Sequence, residues 1–375
     1  MKRTFTLFSF LLVIILLSSF QRRRSLSEKI MVNNDEMIIT HVDRVKDTID
    51  LKLSDLLESC DVIPLETKEG SLISMAQRVA VSENYLAIKD SERTPLKLFT
   101  RDGKFIRDIG AIGRGPDEYN ISLYGVQIDE PNGNLYLFPF AQARNILVFG
   151  FDGKAKNHIP LRFQQRKFKA YIEDGVVTVM GMPFKNDSAV VFKQTTSGKL
   201  IQYIPPKDYQ LAQEFSSEVS SSHNAGAYDI FHMLYMKNPK DTLYHYDTGS
   251  NRLVPKYTLS FDSDEWPFYV CNELPSHYYS WVGSRGNLIV DKRTLETNYF
   301  RLVNDFFGGV ELKIFHQGNN GMFISSISAL NLKKEIKKCL ADKSLNSVIR
   351  DNLVKLDSEI DENSNDILFV GKFKK

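Results

Sequence analysis

The stretch that decides the fold runs from Leu98 to Lys154, and within it two turn units match: Arg101-Asp102-Gly103-Lys104 and Phe151-Asp152-Gly153-Lys154. Each follows an apolar-rich strand, "LKLFT" (Leu96–Thr100) and "ILVFGF" (Ile146–Phe151). Between them lie a glycine-rich loop, "IGAIGRGPDEY" (Ile109–Tyr119), and a hairpin, "GVQIDEPNGNLYLF" (Gly125–Phe138). The recurring unit is all-β, so the chain reads as a repeat of short strands and tight turns.

Outward from that unit the same grammar continues. Hairpins are expected at Val79–Asp90, Val126–Phe138, Lys169–Gly181, Asp241–Leu253, Trp281–Lys292 and Ile314–Ser325, each with Gly, Asn or Asp at its tip. A second series of turns carries Gly103, Gly153, Gly198 and Gly249, spaced by 50, 45 and 51 residues. Periods of about 40–50 residues with four strands each mark the blades of a β-propeller. Six hairpin starts give six blades.

The carboxy-terminal part departs from this pattern. Leu345, Val348, Ile349, Leu353 and Leu356 follow a helical period in a Lys/Glu-rich background, which predicts a helical insertion over about 329–361. Strand character returns in "DILFVGKF" (Asp366–Phe373). Pairing of this strand with "DVIPLET" (Asp61–Thr67) would close the ring and remove its free sheet edges. The expected organisation is a targeting segment at 1–24, a polar linker at 25–45 and a single propeller over 46–375.

The targeting reading rests on Lys2 and Arg3 ahead of an apolar run, Phe5–Phe20. That is the pattern of a secretory signal, and at sixteen residues it is short for a bilayer span of about twenty. Arg22, Arg23 and Arg24 follow at once, which disfavours translocation and leaves an uncleaved anchor as the second reading. The destination is the periplasm or cell envelope, with membrane contact only through an uncleaved terminus. Cys60, Cys271 and Cys339 are far apart and form neither a metal finger nor a disulfide framework. The 48 basic and 46 acidic residues nearly cancel to +2, which gives no support to a nucleic-acid partner. A monomer is expected.

At Ile109–Lys154 the chain resembles the NHL-type propeller repeat. The matching residues are Gly110, Gly113 and Gly115, then Gly125-Val126-Gln127-Ile128-Asp129, Asn134-Leu135-Tyr136-Leu137, Arg144-Asn145, and Val148-Phe149 with Asp152-Gly153. Tyr124 stands where that repeat usually has proline, and Pro139 where it often has aspartate. With "VIPLET", "GKFIRDIGAIGRGPDEY" and the closing "NDILFVGKFK", the wider pattern resembles six-bladed exported propellers of Bacteroides-type bacteria. The resemblance implies a ligand- or partner-binding role in the envelope, near glycan capture or sensing.

Candidate chemistry is sparse. Arg114 decorates the glycine-rich loop, which lacks the Lys-Ser/Thr of a nucleotide loop and reads mainly as a junction between blades. Among the seven histidines no pair has helical zinc spacing, and His223, His232 and His277 lie where loops reach the face of the ring. The polar loop Ser216–Asp229 holds Ser, His and Asp without a nucleophile elbow. Trp266, Phe268, Tyr269, His277, Tyr278, Tyr279 and Trp281 form a dense aromatic segment, either blade core or a stacking surface for a sugar or protein. The binding residues expected from sequence are therefore His223, His232, Trp266, Tyr269, Tyr278, Trp281 and Arg114. The ligand is a small molecule, glycan or protein, and no cofactor is expected. The alternative is a lyase or hydrolase with a divalent metal at the central channel.

Overall fold

The computed structural model describes residues 25–91, 93–120, 122–140, 143–210, 216–233, 242–263, 267–312 and 321–375. The expected signal segment and Trp266 lie outside them.

Six antiparallel sheets form the blades of a six-bladed propeller. Blade 1 holds Arg78–Val81, Tyr85–Lys89, Leu96–Thr100 and Phe105–Ile109. Blade 2 holds Leu123–Asp129, Asn134–Pro139, Ala143–Gly150 and Ile159–Gln165. Blade 3 holds Phe168–Glu173, Val176–Gly181, Val191–Thr195 and Leu200–Ile204. Blade 4 is built from Glu218–Ser220, Tyr228–Met233, Thr242–Asp247 and Arg252–Ser260. Blade 5 is built from Tyr269–Glu273, His277–Val282, Gly286–Asp291 and Thr297–Val303. The sheet of blade 6 orders Met322–Ile327, Ile367–Phe373 and Leu57–Pro64.

The middle strands are buried on both faces, because each blade is covered by its two neighbours. Tyr85–Lys89 and Val176–Gly181 have every residue after the first buried, whereas the outer strand Ile159–Gln165 alternates. Apolar clusters fill the gaps between blades. Tyr124, Phe138, Phe168, Val179 and Phe192 fill one between blades 2 and 3.

The recurring Asp-Gly turns dock onto the blade before them. Gly153 accepts from the amide of Gly110 at 3.0 Å, and the amide of Glu66 reaches Gly103 at 2.8 Å. Gly103 and Gly153 have φ of +88° and +81°, values that glycine adopts without a Cβ penalty. The glycine-rich loop is part of the same joint. Asp117 accepts from the amide of Ala155 at 2.8 Å, and the Tyr119 hydroxyl accepts from the amide of Leu96 at 2.6 Å.

The ring closes as expected: Ile367–Phe373 pairs antiparallel with Leu57–Pro64, Val370 facing Asp61. The helical insertion is two helices, Ala329–Ala341 and Ser347–Glu359. They bury Leu332, Ile336, Leu353 and Leu356 in a core shared with Phe369.

The stretch read as a linker is structured. Ser27–Val32 and Asp35–His41 form a hairpin whose second strand runs parallel to the outer strand of blade 4, Ile38 facing Tyr257. Thr48–Lys52 does the same for blade 5, Ile49 facing Phe300. The misreading has a simple cause: these strands cover only the rim of the ring, so they bury a few residues such as Met37, Ile38 and Val42 and stay polar elsewhere.

Candidate functional site

The first strands of blades 1 to 4 stand side by side around a central cavity of about 560 Å³. Its walls are mostly apolar, with Val79, Val126, Phe138, Phe168 and Val219 among them. Strands alternate sides, so only some residues of each first strand reach the channel.

Four polar residues near the starts of these strands are tied together. They are Arg78, Tyr124, Lys169 and Glu218, one from each of four consecutive blades. Arg78 Nε donates to the Tyr124 carbonyl at 3.1 Å, and its Nη1 donates to the Gln77 carbonyl at 3.0 Å. The Tyr124 hydroxyl donates to Glu218 Oε2. Lys167 Nζ sits 2.5 Å from Glu218 Oε1 and donates to the Ser217 carbonyl at 2.8 Å. Lys169 Nζ lies 5.2 Å from the centre of the Tyr124 ring, in cation–π range.

The cations are not evenly matched by acids. Glu218 serves both Lys167 and Tyr124. Among the described residues no carboxylate is salt-bridged to Lys169 or Arg78. Burial lowers the Lys169 amine to about 8, with the Arg78 charge acting the same way and Glu218 opposing. Lys169 is half-buried and lines the cavity. Burial also lowers Arg78, and it pushes the Tyr124 phenol up, so Tyr124 remains a neutral donor.

Further along the channel, polar groups are satisfied by the protein itself. Gln127 exchanges two hydrogen bonds with the backbone of Ile172, at 2.6 and 2.9 Å. The Tyr171 hydroxyl donates to Ser221 Oγ at 3.2 Å, and Ser221 donates to the Asp229 carbonyl at 2.5 Å.

The structure does not bring the sequence-predicted residues together. His223 stacks on Tyr228, ring centres 4.4 Å apart, and its Nδ1 lies 3.5 Å from Glu173 Oε1. Tyr228 donates to the other oxygen of Glu173 at 2.6 Å. His232 is buried, 3.3 Å from the Gly181 carbonyl, and burial pulls its imidazole down to about 4. Tyr269 packs against Phe231 and Phe261 in the core between blades 4 and 5. Tyr278 is stacked on Tyr257 at 4.5 Å with Lys292 on its ring at 5.0 Å. Their burial makes them blade core, the first of the two readings of the aromatic segment. Trp281 is 37% exposed and touches the edge of Phe268. Arg114 is exposed on the blade 1–2 junction.

The Ser/His/Asp stretch forms no relay. Ser222 donates to Asp229 Oδ2 at 2.5 Å directly, while His223 turns to Glu173. Asp229 is buried and its carboxyl is pushed up to about 7, by burial above all and also by Glu273. Glu273 itself is opposed by burial but held below the usual range by His245 and Lys292. Among the described residues there is no group of three His, Cys, Asp or Glu placed to hold a metal.

Sequence reasoning missed Arg78, Lys169 and Glu218. The signal was positional: Arg78 and Glu218 open the first strand of a blade, and Lys169 is the second residue of another. Tyr124, noted as a departure from the repeat, is the fourth member of the set.

The model of a domain of unknown function, DUF4934, matches residues 37–281. The chain belongs to this family. The DUF4934 match covers blades 1 to 4 and part of blade 5, hence the whole set Arg78, Tyr124, Lys169 and Glu218. No curated protein matches this DUF4934 chain. Among solved structures, it is similar to a "putative exported protein" from Bacteroides fragilis, with TM-score 0.62 and 19% identity over 88% of this chain and 99% of that one. Weaker likenesses include hydrazine synthase from Kuenenia stuttgartiensis (TM-score 0.43, 10% identity, 66% of this chain and 79% of that one). Another is the extracellular domain of a one-component system from B. thetaiotaomicron (TM-score 0.41, 12% identity, 62% of this chain and 32% of that one). At 19% identity the likeness to the Bacteroides fragilis protein speaks for the fold of the DUF4934 chain alone.

Proposed function

We infer that this protein is an exported binding module of the cell envelope that receives a small ligand in the central channel of its propeller. The carrying observation is the 560 Å³ cavity enclosed by the first strands of four consecutive blades. Its volume lies within the range of about 300–1,000 Å³ usual for small-molecule sites, and it combines apolar walls with a few polar groups. Export is supported by the apolar run behind Lys2 and Arg3 and by the exported description of the Bacteroides fragilis protein. The NHL-like reading of the repeat, carried by Gly125–Asp129 and Asn134–Leu137, belongs to the same proposal. A glycan is one ligand class the channel would take.

The test is hydrogen exchange on the purified protein during a screen of saccharides and small organic compounds. Protection should fall on 78–81, 123–129, 168–173 and 218–220. A ligand that protects only the aromatic segment 267–282 would move the site to the face of the ring and overturn the channel reading.

A further inference from the structure

We propose that the channel binds an organic acid, its carboxylate seated between Lys169 Nζ and the Arg78 guanidinium and its body along the apolar walls. This rests on the channel being the binding site.

The charges make the case. Lys169 and Arg78 face the same cavity from blades 3 and 1. They are close enough for the Arg78 charge to disfavour protonation of Lys169. Two like charges in a confined, partly desolvated space are costly unless an anion joins them. Glu218, the nearest acid, is already divided between Lys167 and the Tyr124 hydroxyl. Arg78 spends Nε and Nη1 on backbone carbonyls, and among the described residues its Nη2 has no acceptor. The second Nη1 proton, the two Nη2 protons and the ammonium protons of Lys169 are the donors left over, and a carboxylate is an acceptor for both groups.

The same surroundings select for a single charge on a larger body. Glu218 lies just behind Tyr124, and Glu83 stands exposed at one mouth. Both repel a multiply charged anion, and among the described residues the one further cation of the lining, Arg101, is already paired with Asp61 at 2.9 Å. Val81, Ile128, Met233 and Met322, the partly exposed apolar residues of the lining, offer nothing to a small hydrated ion and much to a ring or alkyl chain.

The groups facing Lys169 are Arg78 from blade 1, Tyr124 from blade 2 and Glu218 from blade 4. Tyr124 stays protonated, so Lys169 is the group of this set that changes charge near neutrality. Affinity for the acid should therefore fall as pH rises through about 8, where Lys169 loses its proton.

The experiment uses matched acid and neutral pairs on the purified protein by titration calorimetry at pH 7. The probes are glucuronate and glucose, 3-phenylpropionate and its amide, and octanoate and its amide. One acid is expected to bind about 10- to 100-fold more tightly than its neutral partner, the worth of a charged hydrogen bond. Lys169→Met should erase that preference. Lys169→Arg should keep it and carry it unchanged to pH 9, which also shows that the site tolerates substitution. Which pair responds separates a sugar acid from an aryl or alkyl acid. Neutral partners that bind as tightly, with protection in the channel strands, would overturn the charge reading and leave the channel site standing. An acid preference untouched by both Lys169→Met and Arg78→Met would place the acid elsewhere and overturn the proposal. Failure of all six probes to bind would overturn it together with the channel reading.

Discussion

Gly103 packs directly on the backbone of Pro64: a Cβ at Gly103 would lie 2.3 Å from the Pro64 carbonyl oxygen. The contact joins the turn of blade 1 to Leu57–Pro64, the outer strand of blade 6. The turn that repeats along the sequence is thus a coupling between blades as well as a bend within one. Gly103→Ala should cost about 2–4 kcal/mol, from the positive φ and the overlap together. Gly133→Ala is the control, because nothing lies within 4 Å of its Cβ position although its φ is +60°. It should cost about 1 kcal/mol. Urea denaturation of both variants checks the order; equal losses would refute the coupling.

Ring closure places Ile367–Phe373 between two other strands of blade 6. Deleting residues 367–375 removes the middle of that sheet and exposes both remaining strands. The shortened protein should lose its cooperative thermal transition and its near-ultraviolet circular dichroism. Retention of the full-length midpoint would show that blade 6 is dispensable. The milder Gly371→Ala would bring a methyl within 2.6 Å of both the Ser59 carbonyl oxygen and Leu57 Cδ1, and should cost about 1–3 kcal/mol.

Asp229 and His232 give stability opposing pH slopes. The Asp229 carboxyl is raised to about 7, so between about pH 4 and 7 the folded state holds a proton that the unfolded state has lost. Its contribution falls as pH rises through that window. His232 is lowered to about 4, so between about pH 4 and 6.5 the unfolded state holds the extra proton. Its contribution rises. Asp229→Asn removes the falling term and should make stability climb more steeply from pH 4 to 6.5 than in the parent. The gain at pH 7.5 relative to pH 4 should be of the order of 3 kcal/mol. Denaturant midpoints at pH 4.5, 6 and 7.5 measure it, and parallel profiles for the two proteins would contradict the assignment.

Glu218 links blades 2, 3 and 4 through Tyr124 and Lys167. Glu218→Ala takes the Glu218 carboxylate from the buried Lys167 ammonium and the acceptor from the Tyr124 hydroxyl, and should cost about 2 kcal/mol. Tyr124→Phe removes one hydrogen bond and should cost about 1 kcal/mol. Thermal and urea unfolding rank the two; a reversed order would show that Glu218 is not the hub.

The fold was legible because a propeller writes its period in turn residues. The Asp-Gly pairs at 102–103 and 152–153 mark blades without any knowledge of contacts. The closing strand was legible because "DILFVGKF" is too apolar to lie free. The rim strands 27–32 and 35–41 were not, since a strand that buries one edge needs few apolar residues. The channel set escaped for a different reason. Arg78, Tyr124, Lys169 and Glu218 are separated by 46, 45 and 49 residues, and only closure of the ring places the first three around one cavity with Glu218 hydrogen-bonded behind Tyr124. Tyr278 and Tyr269 drew attention by density, but density of aromatics measures a core as readily as a surface.

The rim strands also set the order in which the molecule can be finished. Ile38 faces Tyr257, Ile49 faces Phe300 and Asp61 faces Val370. A chain made from its amino end produces these three strands first, yet each must wait for a partner more than two hundred residues downstream. Blades 1 to 3 pair among near neighbours and can form early. Strands 35–64 are committed only as blades 4, 5 and 6 arrive in turn, and their last pairing awaits Ile367–Phe373. Such distant pairings fold slowly. Strands 35–41, 48–52 and 57–64 are synthesised before the blades they complete and are locked in place after them.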